Sequence, residues 1–167
     1  LTQPVLPKPR VAVIEIAHQP GQAVGDGLQW RVGARNAQVE GGCHCGVSRY
    51  KARGTPQHVS VCHCDDCRRC SGAPFVSWAA FSSADFESSG DIKAYASSTH
   101  AVRHFCARCG TGLYYVNEEA LPGLVDIQTC TLDTPEALAP QLHVQAAEQL
   151  GWTLGLEDLP KFDRFPG

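Results

Sequence analysis

Eight of the nine cysteines fall into three tight groups: Cys43-His44-Cys45, then Cys62-His63-Cys64-Asp65-Asp66-Cys67-Arg68-Arg69-Cys70, then Cys106-Ala107-Arg108-Cys109. Thiolates separated by one or two residues are the donor set of a soft, tetrahedral ion, zinc above all. Disulfide staples fit this pattern badly. A Cys-x-Cys pair is too short and too poorly aimed to close a normal bridge, and an odd total leaves one thiol over. Cys130 stands alone in Gln128-Thr129-Cys130-Thr131 and reads as a buried, small apolar side chain.

The groups divide by counting. Cys43 and Cys45 run into Gly46, and Cys106 and Cys109 into Gly110, so each pair ends on a residue able to take the tight backbone of a metal knuckle. Together these pairs supply Cys43, Cys45, Cys106 and Cys109, a complete set of four for a structural site. Such a site would tie together two distant parts of the chain and contribute on the order of ten kcal/mol to folding. The central group leaves Cys62, Cys64 and Cys67. Three ligands with a fourth position free for water or a substrate sulfur is the arrangement of a catalytic site. Cys70, at helical spacing from Cys67, either closes this site as a further ligand or faces away.

Proton donors near this group are His63, Asp65, Asp66 and His104. His63 lies between two ligands and suits orienting their loop through a ring N–H better than it suits catalysis. Asp65 and Asp66 suit capping of a short turn, and Arg68 or Arg69 suits either a substrate carboxylate or solvent.

Positioning these residues falls to strands. Short β-branched and aromatic runs separated by Gly, Pro, Asn, Asp or Ser predict strands at Val11–Ala17, Val47–Ala52, Gln57–Cys62, Phe75–Phe81, Ile92–Ala96, Ala101–Phe105, Gly112–Val116, Leu124–Thr129 and Leu142–Ala146. Helical signals are short, the best being Thr134-Pro135-Glu136-Ala137-Leu138, with Pro at the first helical position. Trp30, Trp78, Trp152, Phe75, Phe81, Tyr114 and Tyr115 read as core or pocket wall. A chain of 167 residues with 43% hydrophobic and 19% charged residues suits one mainly β domain with a real core. A net charge of −3 with a single adjacent arginine pair argues against nucleic acid as a partner. No run is long and apolar enough to predict a membrane span, and free thiols in this number predict a reducing cytoplasm.

Three stretches carry a family resemblance. Gly42-Cys43-His44-Cys45-Gly46 with Tyr50, the run Cys62-His63-Cys64-Asp65-Asp66-Cys67-Arg68-Arg69-Cys70-Ser71-Gly72-Ala73-Pro74-Phe75, and Phe105-Cys106-Ala107-Arg108-Cys109-Gly110-Thr111-Gly112-Leu113 resemble the glutathione-dependent formaldehyde-activating enzyme family. The resemblance spans roughly residues 40 to 152 and takes in Leu121-Pro122-Gly123 and the stretch from Asp126 to Asp133. It implies a mainly β, zinc-braced β-tent of small antiparallel sheets with few short helices. It also implies a domain at residues 40–167, leaving residues 1–39 as an N-terminal extension with an added strand.

Two zinc ions per chain are implied as well, a structural one on Cys43, Cys45, Cys106 and Cys109 and a catalytic one on Cys62, Cys64 and Cys67. Cys70 departs from the small residue expected at its position. The implied reaction is that of a carbon–sulfur lyase joining a small-molecule thiol, glutathione, to an aldehyde, formaldehyde. Three thiolates leave a zinc centre net negative, hence a poor Lewis acid beside which a bound substrate thiolate stays nucleophilic, and this favours sulfur attack on a carbonyl over water activation. The same pattern admits another aldehyde or an imine as substrate, or a non-catalytic, zinc-stabilised interaction module.

Overall fold

The computed structural model describes residues 38–165, so the strand expected at Val11–Ala17, the rest of the N-terminal extension before residue 38, and Trp30 lie outside the described residues. The short apolar runs become β1 (Gln38–Gly42), β2 (Arg49–Arg53), β3 (Val59–Cys62), β4 (Val76–Ser82), β5 (Phe86–Ser89), β6 (Ile92–Ala96), β7 (Ala101–Cys106), β8 (Gly112–Asn117), β9 (Leu124–Gln128) and β10 (Leu142–Val144). They form a three-stranded sheet ordered β1-β2-β5 and a seven-stranded sheet ordered β10-β3-β4-β9-β8-β7-β6. Pairing is antiparallel throughout, except that β10 runs parallel to β3 at the edge. The expected mainly β architecture is therefore present.

β1 and β5 were not expected. The single apolar residue of Phe86-Glu87-Ser88-Ser89 gives no alternation to read, and that strand is held at an edge by pairing with β2 and by an Arg53–Glu87 ion pair at 2.8 Å. β1 ends in two glycines, which sequence reasoning treats as a break. Pro135–Leu138 forms the expected short helical turn, as a 3-10 segment.

Register decides what each face of the large sheet carries, because directly paired residues point to the same side. Val59, Ala79 and Ile127 share one side, as do Phe81 and Val125. These pack with Tyr50, Ala52 and Leu113 into the main core between the two sheets. The opposite side carries Ser60 with Trp78, Cys62 with Val76, and the row Ala80, Asp126, Tyr115 and Arg103. That side packs a smaller cluster of Cys62, Cys67, Val76 and Trp78, with Tyr115 and Val144 against it. One face thus stabilises the fold and the other is left to chemistry.

Among the described residues one α-helix occurs, α1 (Asp65–Ser71), lying between β3 and β4. Its N-cap is Cys64, whose Sγ accepts the Cys67 backbone N–H at 3.3 Å. Gly72 ends it in the left-handed conformation, donating its N–H to the Arg68 carbonyl at 2.8 Å. No helix among the described residues is long and apolar enough to cross a membrane.

Candidate metal centres and the cavity beside them

The outer cysteine pairs sit on two turns. Cys43 and Cys45 occupy the β1–β2 turn and Cys106 and Cys109 the β7–β8 turn, so the pairs belong to different sheets. In each turn the glycine has positive φ, +77° at Gly46 and +76° at Gly110, and its N–H donates to the first cysteine's carbonyl at 3.0 and 2.9 Å. The Ser48 N–H donates to Cys43 Sγ at 3.2 Å, and Thr111 Oγ1 lies 3.2 Å from both the His44 backbone N and Cys109 Sγ. That last contact is the leading cause of a Cys109 pKa below the usual thiol value.

The four sulfurs lie within 4.8 Å of one another, with Cys43–Cys45 at 3.5 Å and Cys45–Cys106 at 3.8 Å. A tetrahedral ion with bonds near 2.3 Å requires ligand sulfurs about 3.8 Å apart, so the set fits zinc. Replacing Gly110 by Ala isolates the turn's contribution. The new Cβ would meet nothing within 4 Å, so the substitution acts through backbone strain alone. Denaturant unfolding of Gly110→Ala is expected to show a loss of about 1–2 kcal/mol, and Gly110→Asn a smaller one.

The second group gathers Cys62 from β3, Cys64 from the helix cap and Cys67 from α1, their sulfurs also within 4.8 Å of one another. These thiols do not ionise independently. Hydrogen bonds from Cys62 and Cys67 hold Cys64 well below the usual thiol range, and the bond to Cys64 is the leading cause of a raised Cys62. Such a cluster is prepared to meet a cation. Arg103 donates to Cys67 Sγ at 3.7 Å, and its guanidinium lies 5.0 Å from the centroid of the Tyr115 ring.

Cys70 is not part of this group. Cys67 is buried, whereas Cys70, nearly one turn further along α1, is exposed and lines a neighbouring cavity of about 410 Å³ with Trp78, Tyr95 and His104.

The three sulfurs line a cavity of about 330 Å³ together with Trp78, Tyr115, Arg103, Asp66, His58 and Asp126. Of the expected proton donors, Asp66 lies on this wall. Asp65 instead pairs with Arg68 at 3.1 Å and Arg69 at 2.8 Å, which engages both arginines within their own helix. His63 is 1% exposed and is not among the lining residues. Its Nε2 lies 2.8 Å from His143 Nδ1, the two rings stacked, and its backbone N–H bonds the Val144 carbonyl at 3.1 Å, which anchors the ligand loop to β10. His104 stacks on Tyr114 at 4.3 Å and lines the larger cavity.

One expectation reverses. Cys130 is exposed, because a 3-10 turn at Thr129–Thr131 follows β9 and breaks the strand alternation. Trp152 is 59% exposed on a short 3-10 segment, Gly151–Asp158, where it lines a shallow cavity with Pro74 and Leu150, a pocket wall rather than core.

Asp126 was not singled out from the sequence. It is 7% exposed in the middle of β9, Leu-Val-Asp-Ile-Gln, and burial pushes its carboxyl up to about 7. An acid flanked by apolar residues in a predicted buried strand was the available signal.

Three comparisons bear on this arrangement. A sequence profile described as glutathione-dependent formaldehyde-activating enzyme matches residues 38–148. An uncharacterized lyase of Schizosaccharomyces pombe is 30% identical, the match covering 59% of this chain and 82% of the relative. A crystal structure of a Rhodobacter sphaeroides protein superposes with a TM-score of 0.51 at 22% identity, covering 63% of this chain and 99% of the other, which speaks to the fold.

Proposed function

As the chain belongs to the glutathione-dependent formaldehyde-activating enzyme family, we propose that it is a zinc-dependent carbon–sulfur lyase that forms or cleaves a thiol–aldehyde adduct such as S-hydroxymethylglutathione. The observation that carries this reading is the contrast between the two cysteine groups. One offers four sulfurs from two turns, a full tetrahedral set, and the other offers three sulfurs on the wall of a cavity. The lyase name of the Schizosaccharomyces pombe relative points the same way.

Cys62, Cys64 and Cys67 would hold the catalytic zinc, and Cys43, Cys45, Cys106 and Cys109 the structural one. Zinc bound by three thiolates would remove the proton of an incoming substrate thiol at neutral pH and leave its sulfur nucleophilic. Arg103 holds Cys67 by its hydrogen bond and offsets part of the negative charge gathered there. Trp78, Tyr115 and Val144 wall the site with apolar surface and limit competing water. The sulfur then attacks the aldehyde carbon, the carbonyl π pair passes to oxygen, and that oxygen takes up the proton the thiol lost, so no oxidant or reductant is consumed. Cleavage is the same sequence reversed. His63 acts on the ligand loop through its backbone bond to Val144 rather than on substrate. Thiolate ligands of this kind call for a reducing compartment, in keeping with a cytoplasmic enzyme.

The test is exchange NMR between formaldehyde and its glutathione adduct at fixed pH, with zinc content measured on the same sample. The expected result is two zinc ions per chain and exchange well above the uncatalysed rate. Fully loaded protein with exchange at the uncatalysed rate overturns the formaldehyde–glutathione reading. X-ray absorption averaging four sulfurs at both ions would instead favour a purely structural, interaction-module role.

A further inference from the structure

We infer that Asp126 forms a recognition subsite for a protonated amine on the thiol substrate, so that the preferred thiol carries an ammonium group at the end of the molecule away from its sulfur. The inference rests on the thiol–aldehyde reading for the word substrate, but the subsite itself follows from geometry. Asp126 is 7% exposed, lines the same cavity as Cys62, Cys64 and Cys67, and its Oδ1 is buried with no hydrogen-bond partner. Buried carboxylate oxygens are ordinarily satisfied, and an orphan at a cavity wall marks a place where a donor docks.

Every titratable or charged neighbour on that cavity leaves the position open. His58 Nε2 is 3.8 Å from Asp126 Oδ1, beyond hydrogen-bond distance, and burial lowers the His58 pKa, so this imidazole is a poor cation at neutral pH. Tyr115 is its direct partner across the strands, with its hydroxyl accepting from Asn117 Nδ2 at 2.8 Å. Arg103 donates through Nη2 to Cys67 Sγ and lies over the Tyr115 ring, with its Nε left without a partner. Asp66, a second acid on the same wall, lies between Cys64 and Cys67.

The register places Asp126 apart from Cys62, and in one row with Tyr115 and Arg103. Cys62 is level with Val76, whereas Asp126 is level with Ala80, four residues further along β4. At about 3.4 Å per residue the backbones of Cys62 and Asp126 are offset by roughly 13 Å along the strand, so a ligand whose sulfur is held at Cys62 would meet Asp126 with another part of the molecule. The cavity thus offers a guanidinium at the Cys67 sulfur and, apart from Cys62 along the sheet, a buried carboxyl without a donor, and a thiolate-to-ammonium zwitterion can engage both. The raised Asp126 pKa agrees, since an acid held near pH 7 by burial alone is one that a bound cation would return to its charged form.

The test measures binding, not turnover. Calorimetric titration of the zinc-loaded protein compares glutathione with N-acetylglutathione, and cysteamine with N-acetylcysteamine, against the wild type and Asp126→Asn. The expected result is that acetylation of the longer thiol weakens binding on the order of ten- to a hundredfold in the wild type, and that Asp126→Asn removes the difference. The shorter pair, unable to span the cavity, is expected to show little discrimination. Equal binding of glutathione and its acetylated form by the wild type overturns the subsite, as does discrimination that survives in Asp126→Asn. The wild-type comparison stands even if the variant fails to fold. A protein that discriminates the amine but does not speed the formaldehyde exchange keeps the subsite and loses the proposed reaction. One that speeds exchange without discriminating does the reverse.

Discussion

Cys109→Ala is expected to lose one of the two zinc ions and to unfold at temperatures where the wild type is intact. Cys109 is exposed, so its truncation removes almost no buried surface and opens no cavity in the core. Whatever stability is lost therefore reports ligation. The pair it belongs to sits on the β7–β8 turn of the large sheet, while its partners Cys43 and Cys45 sit on the β1–β2 turn of the small one. Residues 45 and 106 stand 61 apart in the chain, so the ion would close a long loop as well as fasten two sheets.

Structural zinc contributes on the order of 10 kcal/mol in small zinc domains, comparable to a whole domain's stability of about 5–15 kcal/mol. Even a third of that, about 3 kcal/mol, lowers the melting temperature by roughly 10 °C in a domain of this size. Cys130→Ala is the control, being another exposed cysteine but outside both groups. It is expected to leave both zinc content and melting temperature unchanged. Thermal unfolding with metal analysis on the same samples decides the matter, and a Cys109→Ala protein that keeps two ions and the wild-type melting temperature would remove the brace.

Much of this was legible in the cysteine spacing, for a physical reason. Ligands to one ion must converge within a few ångströms, and the cheapest way to bring two together is a single turn, so Cys43 with Cys45 and Cys106 with Cys109 announce themselves locally. Their meeting across two sheets is a long-range event, inferred from counting to four. Strands with several β-branched or aromatic residues, such as Val76–Ser82 and Gly112–Asn117, were also legible. Phe86–Ser89 was not, because an edge strand needs no apolar face, and its pairing to β2 comes from the fold around it.

The same limit hid two of the cavity's charged residues. Arg103 and Asp126 lie in strands with no motif of their own, and they become functional candidates only when register sets them on the face that carries Cys62 and Trp78. Cys130 fails in the opposite sense. Residue type predicts burial, but the 3-10 turn at Thr129–Thr131 turns the side chain outward.

Cys67→Ala is expected to abolish catalysed thiol–aldehyde exchange while leaving a folded protein with one zinc ion. The argument separates Cys67 from Cys109 by what each side chain joins. Cys62, Cys64 and Cys67 come from one short stretch running from the end of β3 into α1, so an ion held there fastens no distant parts of the chain. Its loss relaxes a local loop whose helix retains the Asp65–Arg69 pair at 2.8 Å and the Gly72 cap. The truncation also trims a buried side chain from the smaller cluster against Trp78 and Val76, which costs about 1 kcal/mol, well within the stability of an intact domain. Activity has no such reserve. With two sulfurs left the ion is no longer gripped by the protein alone, and because substitution of mere supporting groups around a metal already lowers affinity or activity about 10- to 100-fold, removal of a ligand is expected to exceed that. Cys70→Ser on the same helix is expected to keep both zinc ions, since its sulfur stands outside the group. Exchange NMR, zinc content and melting temperature measured on the three variants Cys67→Ala, Cys70→Ser and Cys109→Ala distinguish the roles. Equal loss of stability at residues 67 and 109 would mean that both ions brace the fold, and the division between a closed structural site and an open reactive one would fall with it.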